Sequence, residues 1–204
     1  VHDLKSPLTS VQALVGVVKL SCEKQGNQRE VRYLDQVEAS IDRMSGMISE
    51  ILNGEHFTVT TPGQVIQGLM SQISVAEYVD LVFVDNQLPD VKIEVNVTRF
   101  SRALVNLIEN SYFAVDPKKG EIWISVFPAG SEGEPKVCFS VKDNGVGIAR
   151  EALNHVWEEG YSTRSSHGLG LSFVEKVVTQ SGGTIEINSS RGQGTEGRIV
   201  LPVC

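Results

Sequence analysis

His2 and Asp3 head the chain in the run His2-Asp3-Leu4-Lys5-Ser6-Pro7-Leu8, an imidazole beside a carboxylate. A neutral ring nitrogen is a competent nucleophile near neutral pH, and the neighbouring carboxylate can orient it or take its proton. A second set of residues lies downstream: Asn106-x-x-x-Asn110, Asp143-x-Gly145-x-Gly147, Gly168-x-Gly170 and Gly192-x-Gly194-Thr195. Asparagines four apart on a helix project both amides from one face. An amide oxygen suits magnesium, which takes few protein ligands and keeps waters and phosphate oxygens. Asp143 can accept a hydrogen bond from an adenine amine, and the glycines after it let backbone approach a flat ligand. Gly168-Leu169-Gly170-Leu171 opens a helix, whose free N–H groups and positive dipole end suit a phosphate. Arg164, in the polar loop just before, can pair with a phosphate as well. Each motif alone is weak, but the ordered set is specific. The chemistry it implies is transfer of a phosphoryl group from ATP to His2.

These groups need elements to hold them. Leu4, Leu8, Val11, Val15 and Val18 recur at alternating steps of four and three. Lys24 to Gln28 breaks the pattern with turn-prone residues, and Leu34, Val37, Ile41, Met44, Ile48 and Ile51 resume it. Such a seam on two helices joined by a short loop predicts an antiparallel helical hairpin. One hairpin buries a single stripe per helix. Two of them close a core as a four-helix bundle, so a homodimer is the physical expectation. Asn53-Gly54-Glu55 ends the second helix, which sets the predicted domains at 1–56 and 57–204.

Beyond that boundary, helices are predicted over residues 65–73, 102–114 and 168–180. Strands are predicted over 79–84, 92–97, 121–127, 136–141, 184–188 and 197–202, the last two as a hairpin around Gly192-Gln193-Gly194. Regular βαβ alternation is absent, so the expected architecture is an α+β sandwich, a mixed sheet with helices on one face.

Composition excludes several classes. A formal charge of −7 without a basic run argues against nucleic acid. Three scattered cysteines, Cys22, Cys138 and Cys204, form no metal-ligand spacing and fit a reducing, cytoplasmic setting. No apolar run approaches the ~20 residues that span a bilayer. Val1 starts inside a helical pattern without a cap, so the chain reads as a fragment, and the full-length protein could be anchored in the inner membrane by what precedes it.

The chain resembles the catalytic core of a bacterial two-component sensor histidine kinase. His2 to Leu8 resembles its H box, and the later motifs resemble the N, G1, F, G2 and G3 boxes of the Bergerat-type (GHKL) ATP-binding domain shared with gyrase, Hsp90 and MutL. The resemblance implies a homodimeric four-helix bundle, Mg-ATP in a lidded pocket, and relay of the phosphoryl group to an aspartate in the receiver domain of a response regulator. Residue by residue, it makes His2 the phosphoacceptor and Asp3 the assisting base. Asn110 matches the magnesium ligand and Asn106 its companion; Asp143 matches the adenine reader, with Gly145 and Gly147 shaping the pocket. Trp157 to Arg164 resembles the F box, which brings Tyr161, Thr163 and Arg164 to the nucleotide. Gly168, Leu169, Gly170 and Leu171 match the phosphate turn, and Gly192, Gly194 and Thr195 the last box. Ser6 stands where relatives with phosphatase activity usually carry Thr or Asn; its hydroxyl can orient a water. ATPases of this group carry a water-activating Glu one turn before the magnesium ligand. Here that position is Asn106, and Glu109 is rotated about 100° from Asn110, which favours a kinase over an ATPase.

Overall fold

The computed structural model describes residues 2–27, 30, 31, 33, 34, 37, 41, 44, 56–73, 82–85, 87–116, 118–157 and 170–204. The chain forms two compact units that part between His56 and Phe57.

In the first unit, α1 (His2–Lys24) runs without interruption through Pro7. Proline lacks the N–H that would bond back to Asp3, and its ring crowds that carbonyl, so the first turn carries the local weakness expected of it. Gly26, at φ +74, turns the chain just after α1. Helix resumes by Glu30: Val31, Tyr33, Leu34, Val37, Ile41 and Met44 are helical too. Among the described residues of this unit only Ile41 is buried, while Val11, Leu14, Val17 and Val18 are exposed.

The second unit builds its core from three helices and a sheet. Its elements are β1 (Thr58–Thr60), α2 (Pro62–Ile73), β2 (Val82–Val84), β3 (Ile93–Val95), α3 (Val97–Ala114), β4 (Ile122–Ser131), β5 (Glu134–Asp143), α4 (Arg150–Leu153), α5 (Gly170–Gln180), β6 (Thr184–Ser189) and β7 (Thr195–Pro202). β1 and β3 pair antiparallel as a small two-stranded sheet. The main sheet has the order β2-β4-β5-β7-β6, with β2 and β4 parallel and the other pairs antiparallel. It is the mixed sheet of an α+β sandwich.

Caps explain where the helices start. Thr61 and Gln64 form a reciprocal capping box at α2: the Thr61 N–H donates to Gln64 Oε1 at 3.2 Å, and the Gln64 N–H to Thr61 Oγ1 at 3.4 Å. Pro62 occupies the first helical position, where no N–H is needed. At α3, the Asn96 side chain accepts the Arg99 N–H at 3.1 Å. That cap corrects the sequence reading, which carried a strand through Val97 and started the helix at Arg102. The helix starts at Val97, and β3 stops at Val95. The β4–β5 hairpin also runs further than expected: the strands pair out to Ser131 and Glu134, leaving a tight turn at Glu132-Gly133.

Period-2 alternation sends Ile122, Ile124 and Val126 of β4, and Val137, Phe139 and Val141 of β5, into the core. There they join Phe100, Leu104, Leu107 and Ile108 of α3 and Val174, Val177 and Val178 of α5. Phe100 meets Phe139 edge-on, with ring centroids 5.1 Å apart. On the other face of β5, Cys138 and Ser140 are buried as well. Ser140 donates to Glu196 Oε1 at 2.8 Å, and Arg198 Nε pairs with the same oxygen at 3.0 Å. Burial pushes the Glu196 carboxyl upward, but the bonds from Ser140 and Arg198 outweigh it and hold the group below the usual range. Burial drives the Cys138 thiol up to about 11, with Arg198 opposing it and Glu196 and Glu186 adding to it.

Candidate functional site

Asp143 ends β5 and is 2% exposed. Its two oxygens are held differently. Oδ1 accepts the Gly145 N–H at 2.8 Å and the Thr195 N–H at 3.1 Å. Oδ2 accepts the Ser111 hydroxyl of α3 at 2.9 Å. Three elements therefore converge on one carboxylate: the strand that carries it, the first residue of the neighbouring β7, and the last turn of α3. A buried carboxylate needs such partners, because an uncompensated charge costs several kcal/mol or neutralises itself.

The glycines predicted to shape the pocket sit around this carboxylate. Gly147 takes φ +66, and a Cβ there would collide with the Ser190 carbonyl; Gly194 takes φ +77, and its Cβ would strike the carbonyl of Asp143. Both conformations and both approaches need glycine. The loop after β5 is tied down by Val146 N–H donating to the Ala114 carbonyl at 3.0 Å and by Gly192 N–H donating to the Val146 carbonyl at 2.7 Å. Ser189 completes the clamp. Its Oγ accepts the Ile148 N–H at 2.8 Å, donates to the Gly194 carbonyl at 2.8 Å and lies 3.0 Å from Thr195 Oγ1. The two glycine turns thus form one wall, although 45 residues of sequence separate Gly147 from Gly192.

The asparagine pair meets the third glycine motif. Around Gly170, the first residue of α5, an added Cβ would lie 3.6 Å from Asn110 Nδ2 and 3.9 Å from Asn106 Cβ, with nothing else within 4 Å among the described residues. Asn110 is exposed and Asn106 half-buried, and the Asn110 amide and the Asn106 Cβ border the start of α5. Arg102 of α3 lies over the Phe173 ring of α5 at 5.5 Å, which pins the two helices together one turn further along. Leu171 packs against the core, so its side chain seats the helix terminus.

The structure therefore gathers Asn106, Asn110, Asp143, Gly145, Gly147, Gly170, Leu171 and Thr195 in the second unit. Tyr161, Thr163, Arg164, Gly168 and Leu169 lie outside the described residues. His2, Asp3 and Ser6 are in α1, and their side chains also lie outside the described part. Two residues that hold the site escape sequence reasoning: Ser111 and Ser189. Ser111 follows Asn110 directly, but a serine on a helix gives no spacing signal. Ser189 ends β6 in a polar stretch that reads as ordinary turn chemistry.

Glycine turns closed around a buried aspartate, on a mixed sheet covered by helices, are the frame of this sandwich. Residues 95–204 match the family model described as histidine kinase-, DNA gyrase B-, and HSP90-like ATPase, and residues 1–54 match the His Kinase A (phospho-acceptor) domain. The chain belongs to this ATPase family, and it joins to it the phospho-acceptor domain found in histidine kinases. It is 28% identical to the sensor histidine kinase YclK of Bacillus subtilis over 99% of the chain and 45% of that protein. It is 31% identical to the sensor histidine kinase ZraS of Klebsiella oxytoca over 99% of the chain and 44% of that protein. The chain thus spans about half the length of the curated relatives it matches. In fold it is similar to full-length ShkA, solved in complex with AMPPNP, with a TM-score of 0.63 at 19% identity over 100% of this chain and 44% of that one. The catalytic domain of histidine kinase ThkA gives 0.59 at 24% identity, over 72% of this chain and 95% of that one. No described helix is long and apolar enough to cross a membrane.

Proposed function

We propose that this chain binds Mg-ATP in its second unit, autophosphorylates His2 in its first, and passes the phosphoryl group to an aspartate of a response regulator. The observation that carries the reading is the Asp143 cradle beside the asparagine pair. One end of the pocket offers a fixed acceptor for an adenine amine, and the other offers two amides and the start of α5 for the phosphates. Residues 1–56 act as the phosphoacceptor and dimerisation domain, and 57–204 as the ATP-binding domain.

The residues present fit magnesium. Asn110 is exposed and supplies a hard amide oxygen, while waters and phosphate oxygens complete the shell. When bound, the ion offsets charge on the phosphates during transfer. The protein's own groups do the remaining work. Asp143 orients the base, and Asn106, Asn110 and the N–H groups opening α5 hold the phosphate chain. A ring nitrogen of His2 attacks the γ-phosphorus, the bond from that phosphorus to the bridging oxygen of ADP breaks, and Asp3 takes the imidazole proton. Asn106, in the place of a water-activating acid, leaves the γ-phosphate protected until His2 approaches.

The apolar residues exposed on the helical unit support a homodimer. Val11, Val18, Val37 and Met44 belong to the three-four seam and are open to solvent in a single copy. A second hairpin closing a four-helix bundle would cover them. The test is incubation with γ-labelled ATP and magnesium, beside His2→Gln. Label that resists alkali, is lost in acid and is absent from the variant is the expected result; equal labelling of the variant would exclude His2 as the acceptor.

A further inference from the structure

Asp143 has four acceptor positions, two on each oxygen. The Gly145 and Thr195 N–H groups fill both positions on Oδ1, and the Ser111 hydroxyl fills one on Oδ2. Among the described residues a single position on Oδ2 is left, in a carboxylate that is 2% exposed. Ser111 is itself buried, and its one proton is committed to this bond. The occupancy differs on the two oxygens for a structural reason. The Oδ1 donors are backbone groups, fixed by the strand pairing of β5 with β7 and by the turn after β5. The Oδ2 donor is a side chain, and substitution can remove it without disturbing any strand.

We propose that Ser111 is the positioning residue that sets base selectivity in this pocket, by leaving Asp143 one open acceptor position and thereby admitting adenine over guanine. This rests on the reading of the pocket as an ATP site. Adenine presents one amine hydrogen toward such an acceptor, which a single open position satisfies. Guanine carries a carbonyl oxygen where adenine carries the amine, and its own donors come as an adjacent pair, the ring N1–H and the 2-amino group. That pair needs two open positions on the carboxylate. With Oδ1 closed by backbone and Oδ2 half-closed by Ser111, one guanine donor is buried without a partner, which is the costly outcome for any buried polar group. Removing the hydroxyl opens the second Oδ2 position, where the two guanine donors can converge.

The experiment compares equilibrium binding of ATP and GTP, each with magnesium, to the whole chain, to Ser111→Ala and to Ser111→Thr. The wild type should prefer ATP. Ser111→Ala should narrow the ATP-to-GTP preference by about tenfold, the size of one charge-assisted hydrogen bond at its lower end. Ser111→Thr, which keeps the hydroxyl, should preserve the preference. A ratio unchanged in Ser111→Ala, with ATP still bound, overturns the role of Ser111 and leaves the ATP reading standing. A wild type that binds neither nucleotide overturns both. Circular dichroism checks folding of each variant. Should Ser111→Ala be unfolded, Ser111→Cys, a poor donor of similar shape, carries the test, with the same narrowing expected and an unchanged ratio overturning the proposal.

Discussion

Leu104, Ile124, Phe139 and Ile199 of the sandwich unit are 0–1% exposed, whereas Val11, Leu14, Val17 and Val18 of the helical unit keep 45–66% of their surface open. Both sets arise from periodic apolar residues. The sandwich has a second layer, because the strands of one sheet face α2, α3 and α5 and every inward side chain meets another. An antiparallel pair of helices has no second layer of its own. Its stripe stays open until another copy covers it, so its stability is tied to protein concentration while that of the sandwich is not.

The largest way to sharpen this contrast is Phe139→Ala. The ring is fully buried against Phe100 and its loss leaves a cavity, so the sandwich should lose about 3–5 kcal/mol of stability in urea unfolding followed by tryptophan fluorescence. Oligomeric state at low denaturant should not change. If this variant dissociates the dimer as well, the two units are not independent.

Val18→Asp attacks the other side of the comparison. The residue is half exposed in one copy, so a single chain tolerates the charge, but the seam of a closed bundle does not. Analytical ultracentrifugation should show a shift from dimer to monomer by at least about tenfold in dissociation constant, the minimum for an unpaired buried charge. The sandwich transition should keep its midpoint. A dimer unchanged by Val18→Asp would place the seam elsewhere.

The smallest effect concerns the outward face of the sheet. Glu196 has its folded carboxyl held below the ordinary value near 4.5 by Ser140 and Arg198, against the opposing push of burial. A depressed carboxyl contributes stability that is complete above its unfolded value and is lost as pH falls through the folded one. The group is only partly buried, so screening leaves about 0.5 kcal/mol. Ser140→Ala should therefore lower sandwich stability at pH 7 by up to about 0.5 kcal/mol and flatten the fall below pH 4.5 by the same amount, leaving the acid value nearly unchanged. A steeper acid fall in the variant would show that another carboxyl dominates.

Much of the fold was legible because it is written in local patterns. The three-four spacing of Leu4 to Val18 marks a helix, and the alternation through Ile122 to Val126 and Val137 to Val141 marks half-buried strands. The errors fell at ends, where one side chain decides. The apolar run through Val95 and Val97 reads as a continuing strand, and only the bond from the Arg99 N–H to the Asn96 side chain shows that a helix has begun. Similarly, Gly130 to Pro135 is rich in turn formers, yet pairing on both sides carries the strands to Ser131 and Glu134. Turn residues loosen a strand; a long antiparallel partner can still hold it.

For the site, sequence alone named the chemistry: a histidine with an acidic neighbour, an asparagine pair one turn apart, an aspartate at a strand end and glycines where backbone must come close. Those are properties of residue type and short spacing. Tertiary structure decided how the pieces combine. Thr195 reaches Asp143 across 52 residues and Ser111 reaches it across 32, because β7 lies beside β5 and the end of α3 packs over the strand end. Hydrogen-bond partners are set by which backbones lie side by side in space. Spacing along a chain carries that information within one helix turn or one hairpin, and loses it wherever the sheet order departs from the order of the sequence.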